Sequence, residues 1–247
     1  VSVHGGDVHG AHAGSPAVSA SLRHARLVLA NSGGTARRCR ERGARCTQVV
    51  HLGADLPAQP ALAPPDPTLV TVGNLIERKR HADVIEALAV LRDRRPRLRY
   101  VVAGDGPERE SLRALAARRG VGDRVELRGR LGHEDAVAVG RRGSLFVLPS
   151  VAEAFGVSYV EAMAAGVPAI GCRGEDGPEE IAAAGGGIEL VAPRRPDELA
   201  AVIDALLADG SRMAALRREA RETVTRAFTW ERCGRDTVAA YRSVLDG

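Results

Sequence analysis

Short apolar runs alternate with amphipathic stretches along most of the chain. The runs are strand-length and rich in Val, Ile and Leu, and the stretches between them place apolar residues at helical spacing. Strands are predicted at 68–72, 99–103, 125–127, 145–148, 168–171 and 187–191, and helices at 81–91, 108–119, 157–165, 178–184, 196–208, 211–227 and 230–246. This alternation with short connections predicts an α/β fold, a doubly wound parallel sheet of Rossmann-like type with helices on both faces.

A proline-rich segment, 57–67, separates this region from the residues before it. It holds five prolines, which cannot continue a helix or a central strand, so it is predicted to be an interdomain linker. Residues 1–56 carry three short apolar runs, at 1–3, 27–30 and 48–52, and one helical stretch at 35–42. About fifty residues are too few for an independent α/β domain. The first region is therefore predicted to be a remnant of a second Rossmann-like domain, and the chain a fragment.

Composition narrows the class of protein. Of 247 residues, 45% are hydrophobic and 27% are charged, as in an ordinary globular protein. The net charge of +4 permits anionic partners, but the arginines are dispersed with little aromatic interleaving, which favours a solvated basic surface over nucleic-acid binding. Four cysteines without a CxxC pair indicate neither a zinc cage nor a disulfide framework. No apolar run approaches the roughly 20 residues of a membrane span, and a cytoplasmic location is expected.

The loop after the first strand of the second region, 73–80, is the first candidate for chemistry. Gly73 permits a tight exit, and Arg78, Lys79 and Arg80 then precede a helix, whose start attracts anions. Lys79 is the single lysine among 35 basic residues. This is either chance or a place where a compact ammonium fits and a planar guanidinium does not. Three cations at a helix start favour contact with a phosphate over a solvated basic turn.

Two further loops follow strands. The loop 104–107 reads Gly-Asp-Gly-Pro and allows close approach of the backbone, although such turns are common. The segment 149–168 is more informative, because it carries Glu153 in a loop and Glu161 about one turn into the next helix. A buried carboxylate is costly unless it is bonded, and the paired hydroxyls of a ribose supply two donors. The amides after Gly156 suit a diphosphate. The alternative is that Glu161 caps a backbone N–H and Glu153 lies on the surface.

Glu153 and Glu161 are separated by seven residues within SxxEAFGxxxxEAMAAGxP. This resembles the Glu-x7-Glu signature of retaining family-4 glycosyltransferases of GT-B fold, which are glycosyl transferases of group 1. Further segments in register with that family lie at 31–32, 51–55, 73–79, 104–107, 125–129 and 228–230, so the resemblance covers nearly the whole chain. It implies a nucleotide-sugar-binding GT-B carboxy-terminal domain at 68–227, a crossover helix at 228–247, and an acceptor-side domain of which 1–56 is the remnant.

The resemblance also implies roles for single residues. Lys79 and Arg78 would neutralise the diphosphate leaving group, while Glu161 would hold the ribose and Glu153 the donor sugar. His4, in a segment that resembles the family's strand ending in His-Gly, would face the reaction centre. The catalytic candidates are therefore His4, Lys79 and Glu153, and the donor-binding candidates are Gly73, Asn74, Arg78, Lys79, Gly104, Asp105, Arg128, Gly129, Glu153, Ala154, Phe155, Gly156, Val157 and Glu161.

The chain departs from the family pattern in two loops. Asn74 stands where many members have Arg, so Arg78 or Arg80 would have to substitute as the phosphate-binding cation. The segment 171–181 is longer than the family's Gly-Gly-x-x-Glu loop, and 180–181 aligns with the end of that loop. In this respect the chain resembles members that act in the synthesis of cell-surface polysaccharide.

The implied reaction moves a sugar from a nucleoside-diphosphate sugar to a hydroxyl of a carbohydrate, lipid-linked or small-molecule acceptor, with retained configuration. No Asp-x-Asp motif lies at the diphosphate position, and neither a metal nor a cofactor is predicted. Two alternatives stay open: a sugar-nucleotide 2-epimerase of GT-B fold, and a nucleotide-sugar-binding fragment without catalysis. The isolated chain is expected to bind weakly and catalyse little, and peripheral membrane association at the inner face is expected only through the other half of the enzyme.

Overall fold

The amino-terminal residues form a small α/β lobe in the computed structural model, which describes residues 1–9 and 15–246. Its elements are β1 (Ser2–Val3), α1 (Gly5–His9), α2 (Pro16–His24), β2 (Val28–Ala30), α3 (Gly33–Glu41) and β3 (Thr47–Val49). The strands pair in parallel in the order β1-β2-β3. The apolar runs predicted these strands but neither α1 nor α2. Only Leu22 of α2 is fully buried and only Val18 packs beside it, so the apolar face of this helix is too short to give a helical pattern.

The residues after the proline-rich segment form the second, larger lobe. Its strands are β4 (Thr68–Val72), β5 (Arg99–Ala103), β6 (Val125–Leu127), β7 (Leu145–Val147), β8 (Ala169–Cys172) and β9 (Ile188–Val191). Its helices are α4 (His81–Val90), α5 (Arg109–Arg118), α6 (His133–Gly140), α7 (Val157–Ala164), α8 (Asp176–Ala184), α9 (Pro196–Ala208) and α10 (Gly210–Ala227), and α11 (Trp230–Leu245) follows. Short 3-10 turns lie at Glu77–Lys79 and Gly122–Arg124.

The six strands of the second lobe are all parallel and lie in the order β6-β5-β4-β7-β8-β9. This is the doubly wound order, in which the winding direction reverses between the first and fourth strands, here β4 and β7. The predicted fold class is therefore confirmed. In such sheets, ligands bind outside the carboxyl ends of the strands at the point of reversal.

Both faces of the sheet are covered, as a parallel sheet requires. Leu69 and Leu145 belong to one apolar cluster, whereas their chain neighbours Val70 and Phe146 belong to another, so successive residues face opposite sides. The first cluster packs α4, α5 and α9 against the sheet, and the second packs α7 and α10. Within residues 1–9 and 15–246, no helix combines the length and the apolar character needed to cross a bilayer.

The proline-rich segment 57–67 contains neither a helix nor a strand, but it is bonded along the second lobe. The Ala61 amide donates to the Ala165 carbonyl at 2.8 Å. The Arg221 guanidinium donates to the Pro57 carbonyl at 2.7 Å. A helix then returns to the first lobe, where Ala240 of α11 packs against Leu29 and Val50. The last residue of the predicted crossover segment, Gly247, lies outside the described residues.

The predicted elements of the second lobe are present, with ends within two residues of their predicted positions. The helix α6 is not among the predicted elements. This helix has eight residues and buries only Val139 and Gly140 completely, so its apolar face is too short to give a helical pattern.

Candidate functional site

Three glycine-containing loops meet at the carboxyl edge of the sheet. The Gly104 amide donates to the Gly129 carbonyl at 2.9 Å. A Cβ atom on Gly104 would lie 1.9 Å from the carbonyl oxygen of Gly73, so a larger residue would push the loops after β4 and β5 apart. The three predicted glycines therefore shape this edge by packing against one another.

Lys79 and Glu153 meet across the point of reversal between β4 and β7. The Lys79 Nζ atom lies 2.5 Å from Glu153 Oε2, and only 12% of the Lys79 side chain and 8% of the Glu153 side chain are exposed. The Val151 amide donates to the Arg78 carbonyl at 2.8 Å and joins the backbones of the two loops. The structure thus brings together two of the three predicted catalytic residues.

The Glu153 carboxylate is stabilised in its ionised form. Burial by itself raises the pKa of this group, but the charge and hydrogen bond of Lys79 act in the opposite direction. The Ser150 hydroxyl, which donates to Glu153 Oε2 at 2.8 Å, adds to this effect. The net result is a pKa of Glu153 below its usual value, so this side chain is a carboxylate at neutral pH.

The backbone of Glu153 is held by the segment before and within α8. The Glu153 amide donates to Glu175 Oε2 at 2.8 Å, and the Gly177 amide donates to the Glu153 carbonyl at 3.3 Å. A Cβ atom on Gly177 would lie 2.1 Å from the Phe155 carbonyl oxygen. The segment that is longer than the family pattern therefore packs directly against the Glu153 loop.

Two of the three consecutive cations share a partner, since Lys79 and, at 3.8 Å, Arg78 face Glu153, whereas Arg80 faces Asp83. Arg80 adopts a left-handed conformation with φ of 55° and binds Asp83 through two hydrogen bonds, of 2.7 and 3.0 Å. Protein carboxylates, Glu153 and Asp83, therefore offset two of the charges for which the sequence analysis expected a bound anion. Of the two substitutes proposed for Asn74, Arg80 is committed to Asp83. Arg78 has a side chain that is 45% exposed and remains the candidate.

The helix α7 begins at the edge of a cleft between the lobes. Gly156 precedes it with φ of 80°, and a Cβ atom there would lie 2.5 Å from the Tyr159 ring. The first amides of a helix have no partner within the helix and favour anions. The cleft is about 330 Å³ and is lined by His4, Gly5, Gly6, Asn31, Leu52, Arg78, Lys79, Ala152, Glu153, Ala154, Phe155, Gly156, Val157 and Ser158.

The first lobe forms the opposite wall of this cleft. His4 lies at the end of β1, is exposed, and lines the same cavity as Lys79 and Glu153. A Cβ atom on Gly5 would lie 2.4 Å from the Ala154 Cβ atom, so the two walls approach closely at that point. The three predicted catalytic residues therefore face a single cavity, although they come from both lobes.

Glu161 lies in a neighbouring cavity of about 290 Å³ that also contains Asp55, His133 and Trp230. Its side chain is 14% exposed, and the His133 Nε2 atom lies 3.9 Å from its Oε1 atom. Burial raises the pKa of Glu161, and His133 offsets this only in part. Val157, which lines the first cavity, is one helical turn from Glu161, so the two cavities adjoin along α7.

Besides Glu161, three predicted donor-binding side chains do not line the cleft. Arg128 donates to Glu126 at 2.9 Å and lines a separate cavity with Thr68 and Arg99. Asp105 accepts a hydrogen bond from the Gly106 amide at 2.9 Å, and Asn74 is exposed outside the cavity lining. These contacts order the loops at the sheet edge but place no side chain beside Lys79.

Sequence reasoning missed the residues that support Glu153. Ser150 precedes it by three residues, and this local spacing was the only available signal. Glu175 lies 22 residues away, in the segment that departs from the family pattern. In the described part of the chain, no three His, Cys, Asp or Glu side chains are grouped to hold a metal ion. The sequence prediction that no metal takes part stays a prediction.

Two facing α/β lobes, with a cation–carboxylate pair at the point of reversal of the second sheet, define a protein of the GT-B class. The sequence profile described as Glycosyl transferases group 1 matches residues 54–223. The chain belongs to this family, and the family predicted from the sequence is confirmed.

Similar proteins include curated enzymes and solved structures. A GDP-mannose-dependent alpha-(1-6)-phosphatidylinositol monomannoside mannosyltransferase of Mycobacterium tuberculosis is 32% identical over 70% of this chain and 46% of its own length. A 2-deoxystreptamine glucosyltransferase of Streptomyces kanamyceticus is 31% identical over 72% of this chain and 46% of its own length. The chain thus spans about half the length of the curated relatives it matches.

Solved structures share the fold. Sucrose-phosphate synthase from Thermosynechococcus elongatus superimposes with a TM-score of 0.79 at 25% identity, over 92% of this chain and 60% of that one. HepE from Anabaena, solved in complex with UDP and glucose, superimposes with a TM-score of 0.83 at 21% identity, over 98% of this chain and 71% of that one.

Proposed function

We propose that this chain is the donor-binding half of a retaining glycosyltransferase, which moves a sugar from a nucleoside-diphosphate sugar to an acceptor hydroxyl. The observation that carries this proposal is the Lys79–Glu153 pair, which lies beside the start of α7 and faces His4 across the cleft. A cation and helix-start amides suit a diphosphate, and a carboxylate beside them suits sugar hydroxyls.

The diphosphate would bind to Lys79, Arg78 and the first amides of α7. An ammonium has three donors, and Glu153 occupies one of those of Lys79, so others remain for phosphate oxygens. During transfer, the bond between the anomeric carbon and the diphosphate oxygen breaks, and its electron pair stays on the diphosphate. The acceptor oxygen bonds to that carbon, and its proton passes to an oxygen of the departing diphosphate. Fixed positive charge next to the diphosphate stabilises the developing charge without reorganisation.

Glu153 and Glu161 would bind the two sugars of the donor. Glu153 is fixed by Ser150 and Lys79 and presents carboxylate oxygens to the hydroxyls of the transferred sugar. Glu161 lies about one turn into α7 and would accept from the two ribose hydroxyls. Those donors would offset the burial that disfavours its charged form.

The names of the relatives support a nucleotide-sugar donor and leave several acceptor classes open. The M. tuberculosis relative is named for GDP-mannose and a phosphatidylinositol mannoside, and the S. kanamyceticus relative for 2-deoxystreptamine. HepE was solved with UDP and with UDP-glucose. We further propose that the enzyme acts in the synthesis of cell-surface polysaccharide or glycoconjugate and retains the configuration of the transferred sugar. Membrane association would come through the other half of the enzyme.

Calorimetry with UDP and GDP on the chain and its variants tests donor binding. Lys79→Ala is expected to lower the affinity for the diphosphate by about tenfold or more, because a charge-assisted contact is lost. Arg113→Ala, which alters an exposed cation on α5, is the matched control and is expected to have no effect. Unchanged diphosphate affinity in Lys79→Ala would contradict the assignment of the site.

Turnover is tested with a labelled donor in the presence and absence of acceptor, on the chain joined to its amino-terminal half. Lys79→Ala is expected to lower transfer by about two to three orders of magnitude. The anomeric configuration of the first product, read by NMR, decides between retention and inversion. A change in the donor sugar without acceptor would indicate epimerisation instead.

A further inference from the structure

A line of buried polar groups runs through the core of the second lobe to the loop that carries Lys79. The Thr71 hydroxyl contacts the Val147 carbonyl and lies 3.0 Å from the Tyr100 hydroxyl. The Tyr100 hydroxyl lies 3.0 Å from His81 Nδ1, and His81 Nε2 lies 3.0 Å from the Asn74 carbonyl oxygen. All three side chains are almost completely buried, between the strands β4 and β5 and the start of α4.

The chemistry of the partners fixes the tautomer of His81. Burial lowers the pKa of His81 to about 4, and the charge of Lys79 acts in the same direction, so the ring is neutral near pH 7. A carbonyl oxygen only accepts, so the single ring proton must be on Nε2 and donate to Asn74. His81 Nδ1 is then an acceptor, and the Tyr100 hydroxyl donates to it.

The carbonyl that His81 binds belongs to the second residue of the loop between β4 and α4. The same loop is held on its other side, where the Leu75 amide donates to the Asp105 carbonyl at 3.0 Å. The Ile76 amide also donates to the Asn74 carbonyl at 3.0 Å, and the chain then enters the 3-10 turn that ends at Lys79. A rotation of the peptide after Asn74 would therefore move the ammonium relative to Glu153.

We propose that His81 is a positioning residue for the donor diphosphate: its Nε2–H group holds the Asn74 carbonyl so that the Lys79 ammonium is aimed into the cleft. Tyr100 assists by fixing the ring tautomer and orientation. This inference rests on the proposed function, since it assumes that Lys79 binds the diphosphate. The ring touches no part of the cleft and takes no part in the reaction.

Replacing His81 by glutamine or by asparagine separates the role of its hydrogen bond to Asn74 from the role of its side-chain volume in the core. The glutamine side chain can bring its amide nitrogen to the position of Nε2, whereas the asparagine side chain reaches only the position of Nδ1. His81→Gln is therefore expected to keep most of the diphosphate affinity. His81→Asn is expected to weaken it by about five- to tenfold, which corresponds to the loss of one buried hydrogen bond.

The measurement compares two probes on the same proteins: whichever of UDP and GDP binds the wild-type chain, and the corresponding nucleoside. A positioning role predicts that His81→Asn weakens only the diphosphate and speeds amide exchange over residues 74–80. Equal weakening of the diphosphate and the nucleoside would indicate a general loss of structure and overturn the inference. So would an unchanged diphosphate affinity in His81→Asn.

Failure of the inference and failure of the proposed function are distinguishable. If the wild-type chain binds neither diphosphate, both fall. If the wild-type chain binds one diphosphate, and Lys79→Ala loses that affinity while His81→Asn keeps it, only the proposed role of His81 is contradicted. Should His81→Asn not fold, Tyr100→Phe keeps the ring and removes the donor to Nδ1. It is expected to weaken the diphosphate about two- to fivefold, and no effect would again overturn the inference.

Discussion

The two lobes are stabilised in different ways. The sheet of the second lobe is covered by a large apolar cluster on each face. The first lobe has one small cluster, around Val3, Leu22 and Val28, and its Leu29 and Val50 are covered by Ala240 of α11, a helix that begins beside the second lobe. The donor wall of the cleft is therefore built into a self-sufficient lobe. The wall that carries His4 depends on contacts with its neighbour.

Contacts with α8 connect the lobes next to the cleft. Glu180 accepts from the Gly33 amide at 2.7 Å and contacts His51 Nε2 at 2.7 Å. The His51 ring also stacks on Phe155 of the donor loop, with ring centroids 5.5 Å apart. Because α8 also holds the backbone of Glu153, a displacement of the first lobe would be felt at the donor site.

The largest expected effect tests whether the first lobe depends on the second. Leu88 and Leu22 are both fully buried leucines, one in each lobe. Leu88→Ala should cost about 3 to 5 kcal/mol of unfolding free energy and speed amide exchange in β2 as well as in β5. Leu22→Ala should speed exchange in β2 alone. If Leu88→Ala left the exchange of β2 unchanged, the first lobe would be stable by itself.

Acid should weaken the second lobe through His81. Its pKa is lowered from 6.5 to about 4 in the folded protein, so below pH 6.5 the unfolded chain binds a proton that the folded protein does not. Stability is therefore full above pH 6.5 and falls as the pH drops towards 4, by about 3 kcal/mol for such a shift. Urea denaturation at pH 7 and pH 4.5, with wild type and His81→Gln, measures this difference. An equal loss in both proteins would assign the acid sensitivity to other groups.

Loss of the Glu180 contact should lower the free energy of unfolding by less than acid does, and it should loosen only the first lobe. Glu180→Ala leaves the Gly33 amide without its carboxylate partner and should cost about 1 to 2 kcal/mol. Amide exchange should quicken over residues 29–36 and stay unchanged in β4 and β5. Glu222→Ala, an exposed carboxylate on α10, serves as the control. Faster exchange throughout the second lobe would show that the dependence runs in both directions.

The sequence was sufficient to predict the elements with strong periodicity and the residues of a local motif. The strands β4 to β9 are apolar runs, and Glu153 and Glu161 are related by a fixed spacing, so both could be read from neighbouring residues. The contacts that support the site could not be predicted from neighbouring residues. Glu175 and Glu153 are 22 residues apart, and Tyr100 and His81 are 19 apart. Such pairs form only when the sheet brings the neighbouring strands, and the loops that follow them, together.

The turn that carries Arg78, Lys79 and Arg80 is a second case in which partners distant in sequence could not be predicted. The sequence predicted contact with a phosphate, which stays a prediction, and the pattern did not reveal that protein carboxylates face Lys79 and Arg80. Asp83, three residues after Arg80, was a local signal for one pair. Glu153, 74 residues after Lys79, was not.

The smallest expected effect concerns the ion pair between the lobes. Arg37 donates to Asp176 at 2.9 Å, but the arginine side chain is 54% exposed. Water and salt screen such a pair, so Arg37→Gln should change the unfolding free energy by about 0.5 kcal/mol or less. Its effect on amide exchange over residues 29–36 should be weaker than that of Glu180→Ala. If Arg37→Gln proved as costly as Glu180→Ala and its cost disappeared in 1 M salt, exposed charges and not the Glu180 contact would hold the His4 wall in place.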